Sequence, residues 1–145
     1  MPNRLIDSQI SQNASTANAI SIPASSTPAL FGTLGLNTAA AGANLSVHFT
    51  ATVTLSATIA ILVPVTVTIF RVVGATSTLV YSATETLPVG TLLLTTDVIT
   101  VTGADLLTTN PGFVEYQAFV SIPAGLAVIP NRVGPESFEA VAYSD

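Results

Sequence analysis

The side chains that could do chemistry are few and scattered. His48 is the single histidine, and there is no cysteine and no lysine. A lone imidazole can act as a general base. His48, though, has no acidic neighbour in sequence and no thiol to activate, so a surface or subunit-contact role is expected. Eight carboxylates remain: Asp7, Glu85, Asp97, Asp105, Glu115, Glu136, Glu139 and Asp145. Two carboxylates across a cleft would cleave glycosides. Glu115 is the candidate for such a pair, but no partner is visible in sequence. Solvated strand positions or ion pairs with arginine are the expectation, with Arg132, Glu136 and Glu139 as a local cluster. Asp97, Asp105 and Asn110 offer the oxygen ligands that calcium takes from loops. The EF-hand spacing is missing, and no metal site is expected.

The chain has no P-loop, GxGxxG, GxSxG or HExxH pattern. Without lysine there is no Schiff-base chemistry and no lysine clamp for phosphate. Asn13-Ala-Ser15 and Asn44-Leu-Ser46 match the glycosylation acceptor pattern, which is short and frequent by chance. These readings lead to a chain that is not an enzyme, with no catalytic residue, no cofactor and no metal.

Charge narrows the partners further. Charged residues make up 8% of the 145 residues, against about 25% in ordinary soluble domains. Arg4, Arg71 and Arg132 are the only cations besides the N-terminus. Nucleic acid and anionic membrane surfaces both require clustered positive charge, so neither is an expected partner. Mean hydropathy is +0.67 and net charge is −5. So apolar a surface suits burial against copies of the same chain. The first residues contain no apolar h-region, so no secretory signal is visible. The most apolar stretch, 59–73, is too short for a membrane helix and contains Pro64 and Arg71.

The elements that must position these groups are strands. From Leu45 to Ile61 every odd residue is apolar, and nearly every even one is Ser, Thr or His. Period-2 alternation of this length predicts a sheet with one face in a core. Threonine is β-branched and suits the pleated outer surface. Turn signals divide the remainder into strands at 31–36, 63–73, 78–86, 92–101, 113–122, 126–129 and 136–143. About eight strands without helical signal predict an all-β antiparallel sandwich, with a jelly roll first and an immunoglobulin-like sandwich second. Residues 1–27 stand apart, being rich in Ser, Asn, Ala and Gln, with isolated anchors Ile6, Ile10, Ile20 and Ile22. They are expected to form an N-terminal connector arm that adds to a neighbour's sheet or cleft, leaving 28–145 as the sandwich domain.

The segments Val65-Thr-Val-Thr-Ile-Phe-Arg71, Phe113-Val-Glu-Tyr-Gln-Ala-Phe119 and Glu136-Ser-Phe-Glu-Ala-Val-Ala-Tyr143 resemble small β-sandwich proteins of Firmicute spore surfaces. These include exosporium proteins with folds like tumour necrosis factor (TNF) or C1q, and subunits of endospore appendages. The resemblance implies a trimeric jelly roll whose connector docks into the next ring, in a thin, cysteine-free fibre. Its partners would be copies of itself and a spore-surface anchor or tip protein. It also implies release to the spore surface without a signal peptide. In that picture Ile6, Ile10, Ile20 and Ile22 are the inter-subunit anchors. The rival assignments are a viral or phage capsid, decoration or spike protein and a donor-strand pilin. A carbohydrate-binding module is a further rival, but it would show aromatic platforms, and Tyr81, Tyr116 and Tyr143 are scattered.

Overall fold

The computed structural model describes residues 3–57, 62–87 and 95–145. The expected strand residues 58–61 and 92–94 and the turn at Pro88-Val89-Gly90 lie outside them. Among the described residues ten strands follow one another: β1 (Arg4–Ala14), β2 (Ile22–Pro23), β3 (Ala29–Asn37), β4 (Leu45–Ala57), β5 (Val63–Val73), β6 (Thr76–Leu87), β7 (Thr95–Leu107), β8 (Phe113–Ser121), β9 (Asn131–Arg132) and β10 (Glu136–Ser144). Among the described residues there is no helix. Two antiparallel sheets form a sandwich. One runs β1-β10-β4-β9-β2 with β7 on the other side of β4, and the second runs β3-β8-β5-β6.

The alternation in β4 does what its period dictates. Leu45, Val47, Phe49, Ala51, Val53 and Leu55 are buried. They meet Val63, Val65, Val67 and Ile69 of β5 and Val114, Tyr116, Ala118 and Val120 of β8 in one core. Toward its C-terminal end the polar residues Thr54 and Ser56 are buried too. Here β9 pairs at Leu55 and Ser56, Val133 N–H donates to the Thr54 carbonyl, and the Thr54 hydroxyl donates to the Pro135 carbonyl. The satisfied hydroxyl explains why a polar side chain is tolerated there.

One sequence expectation is corrected. Residues 126–129 are not a strand; they cross the end of the sandwich between Pro123 and Pro130. Within the single chain the N-terminal segment packs on its own domain. Arg4–Ala14 is an edge strand of the domain's own six-stranded sheet, paired antiparallel with β10 from Arg4↔Ser144 to Ala14↔Glu136. Ile22 and Pro23 pair with β9. The loop around residue 27 separates β1 and β2 in sequence from β10 and β9, the strands they pair with.

β1 also closes one flank of the sandwich. Ser11 Oγ accepts from Thr33 N–H at 3.2 Å, Asp7 Oδ2 from Asn37 N–H at 2.8 Å, and the Arg4 guanidinium donates to the Ala40 carbonyl at 2.6 Å. Beneath it, Gly32 sits where β3 shifts register against β8. A Cβ there would lie 2.5 Å from Phe138 Cβ, and Phe138 is fully buried. Gly32→Ala is therefore expected to force the sheets apart and cost about 1–3 kcal/mol. A lower urea midpoint with an unchanged slope would register that loss.

Candidate functional site

The outer face of the six-stranded sheet is set by register. Residues directly opposite each other share a face, so the pairings β1–β10, β10–β4 and β4–β7 place side chains in rows. Leu5, Tyr143, Ser46 and Leu106 form the first row, and Ser8, Val141, His48 and Ala104 the second. Ile10, Glu139, Thr50 and Thr102 follow, then Gln12, Ser137, Thr52 and Thr100. Glu139 is the one carboxylate in this grid, and no Arg stands in it. Leu106, Ile10 and Leu5 are 75%, 64% and 60% exposed. His48 stacks at a tilt against Tyr143, ring centroids 5.2 Å apart, and the Thr52 and Thr100 hydroxyls hydrogen-bond each other at 3.0 Å. This face is apolar at the Leu5–Leu106 end and hydroxyl-rich at the other. It places no acid beside His48 and offers no nucleophile activated by it.

The second feature is the latch that holds β1. Glu136 is fully buried and Arg132 nearly so. Arg132 donates through Nε to Glu136 Oε2 at 2.7 Å and through Nη2 to Oε1 at 2.6 Å. Asn13 Nδ2 donates to the same Oε1 at 2.8 Å. Ile20 N–H continues the attachment to the Val133 carbonyl. Arg132 and Glu136 are thus the expected cluster, while Glu139 points to the opposite, solvent face.

The four isoleucines expected as anchors do not converge. Ile6 is half-buried against the core, Ile10 faces outward on the grid, Ile20 lies half-buried near Gly134, and Ile22 is 40% exposed on β2. Asp97, Asp105 and Asn110 do not converge either. Asp97 Oδ2 is buried without a partner among the described residues. Asn110 Oδ1 accepts from Gly112 N–H and its amide donates to the Ala41 carbonyl. Glu115 accepts from the Thr33 hydroxyl at 3.0 Å.

Asp105 belongs to a cluster that sequence reasoning missed. Arg71 Nη1 donates to both its oxygens at 2.9 and 2.8 Å, and the buried Tyr116 hydroxyl donates to Oδ2 at 2.8 Å. Burial pushes the Tyr116 phenol far above its ordinary range, with the Asp105 charge and hydrogen bond adding to the shift. Strand parity carried the signal, since Ile99, Val101 and Asp105 share the inward face of β7.

No protein-family pattern matches this chain, and no curated protein matches it in sequence. Among solved structures, Eiger TNF from S. frugiperda aligns over 98% of this chain and 94% of its own, with a TM-score of 0.56 and 8% identity. At that identity the likeness concerns fold alone: the domain is a TNF-like jelly roll.

Proposed function

We propose that this chain is a structural subunit of a self-assembling extracellular fibre, of the kind found on bacterial endospores, and that it carries no catalytic centre. The observation supporting this reading is the nearly uncharged outer face of the β1-β10-β4-β7 sheet. Its exposed Leu5, Ile10 and Leu106 are contiguous with threonine rows and lack the lysines that normally guard a soluble sheet. In this reading copies pack through that face into a trimeric ring.

Growth along the fibre uses the N-terminal segment. Within one chain, β1 fills the edge of β10. In the fibre the same strand leaves its own domain and fills the β10 edge of the next copy. Exchange of an identical element repeats the same contacts, so it has little intrinsic cost. The seven-residue stretch 15–21 can span at most roughly 24 Å, which sets the distance between donor and acceptor. A contact of this type is head-to-tail and need not close on itself. The Asn13–Glu136 hydrogen bond and the Ile6 contact would fix the register of the incoming strand.

Lysine placed on the face tests the ring. Thr50→Lys with Thr102→Lys puts two adjacent cations on an otherwise nearly uncharged surface and leaves the core untouched. Sedimentation velocity should then move from oligomer to monomer, while thermal stability of the monomeric domain stays within about 1 kcal/mol. An oligomer that survives both lysines would exclude this face as the interface.

A further inference from the structure

A cavity of about 330 Å³ lies beside the Arg71–Asp105–Tyr116 cluster, at the end of the sandwich where the β5–β6 turn meets the β7–β8 connection. Its wall includes Arg71, Thr76, Thr78, Leu107, Thr108 and Thr109. The volume lies at the lower end of ordinary small-ligand sites. We propose that it is a binding site for a neutral saccharide unit.

Arg71 has donors left unused. Arg71 commits only Nη1 to the protein, giving both bonds to Asp105. Among the described residues Nε and Nη2 make no hydrogen bond, and the side chain is 25% exposed, so these donors face solvent or a ligand. Asp105 in turn takes both Arg71 bonds and the Tyr116 hydroxyl, so the guanidinium is held in place from the core side. Rigid, partly exposed donors of this kind lose little freedom on binding. Four threonine hydroxyls around them can each donate or accept. That donor and acceptor mixture matches the hydroxyls of a sugar ring, and Leu107 gives its C–H face an apolar contact.

The charge balance selects a neutral ligand. The Arg71 charge is already compensated by Asp105 at 2.8 Å, no second cation lines the cavity, and the whole chain is at −5. A phosphate or carboxylate would gain little there. The missing aromatic platform sets the strength: without stacking, affinity for one sugar unit is expected on the order of 1–10 mM. Repetition of the site on an assembled particle would raise it by avidity. Every residue the site uses comes from one chain, although Leu106 on its rim also belongs to the outer face proposed for packing.

The test is a titration of the full-length protein, followed by amide chemical shifts, with glucose, galactose, mannose and N-acetylglucosamine in turn. Sodium acetate and phosphate serve as anionic comparators. Shifts confined to the β5–β6 turn and residues 106–111 are expected with at least one sugar. Thr78→Val with Thr108→Val keeps side-chain shape and should weaken that binding about tenfold, as loss of two hydrogen bonds implies. Arg71→Lys, which retains charge but not the fork, should weaken it as well. Three results would each overturn the proposal: no shifts with any sugar, equal binding by the threonine variants, or acetate or phosphate binding more tightly than every sugar. The assembly state is read on the same samples, and the titration is run on the monomeric fraction so that packing of Leu106 does not decide it.

Discussion

Glu136→Ala is expected to destabilise the domain by about 3–5 kcal/mol, because it strands a buried cation. Arg132 is 4% exposed and gives Nε and Nη2 to Glu136 alone. With the carboxylate gone, the guanidinium must stay buried without a counter-charge or drag the 131–136 segment into water. Asn13 loses its acceptor at the same time. For a domain of this length the loss corresponds to a fall in melting temperature of about 10–20 °C. Removing both charges while preserving volume, as Arg132→Met with Glu136→Leu, should cost far less than either single change, since neither side is then left unpaired. Differential scanning calorimetry of the parent, Arg132→Met, Glu136→Leu and the double variant measures the coupling. A single variant melting within about 2 °C of the parent would mean that the pair does not hold this end of the sandwich.

The second large effect concerns β1. Deleting residues 1–14 removes a full strand from the edge of β10 and uncovers the flank that Ile6, Asp7 and Ser11 close. The expected product is a destabilised domain with an open, unguarded strand edge, able to pack through its outer face but unable to extend a fibre. Because the missing element is a strand with a defined register, a synthetic peptide of residues 1–14 should bind it in trans. Affinity in the micromolar range is expected, by analogy with other strand-addition contacts. The Glu136→Ala change should weaken that peptide by removing the Asn13 contact. A truncated protein that is as stable as the parent and indifferent to the peptide would mean that β1 contributes neither to the fold nor to assembly.

Legibility in the sequence followed burial. The core strands announce themselves because one face is covered: β4 and β5 alternate apolar and polar residues, which fixes the inward face but not their neighbours or register on β10, β7 and β8. β1 does not. Most of its residues are exposed, with Ile6, Asp7 and Ser11 half-covered and Ala14 buried at the end, so hydrophobic periodicity has nothing to report. Its partners are polar and distant: Asn37 lies 30 residues and Glu136 123 residues away. Local pattern cannot supply such contacts. Residues 126–129 erred in the other direction. Leu126, Val128 and Ile129 look like a short strand, but they are framed by prolines, and the backbone bonds of this region run from Ile122 to Ser25 and from Ala24 to Pro130 instead.

The candidate surfaces show the same division. The threonine face was readable from parity; a cluster of Arg132 with Glu136 and Glu139 was readable from sequence proximity, but not which of the two carboxylates turns inward to pair. The Arg71–Asp105–Tyr116 cluster needed three strands from two sheets to be brought together, β5 and β8 on one side and β7 on the other. An inward-facing aspartate on an otherwise apolar parity was the only trace it left.

Self-assembly is the central claim, and electron microscopy of the purified full-length chain across rising concentration, beside the chain lacking residues 1–14, tests it most directly. Extended fibres from the intact chain and short isolated rings from the shortened one are the predicted result. Monomers from both at every concentration, or identical closed particles from both, would contradict it.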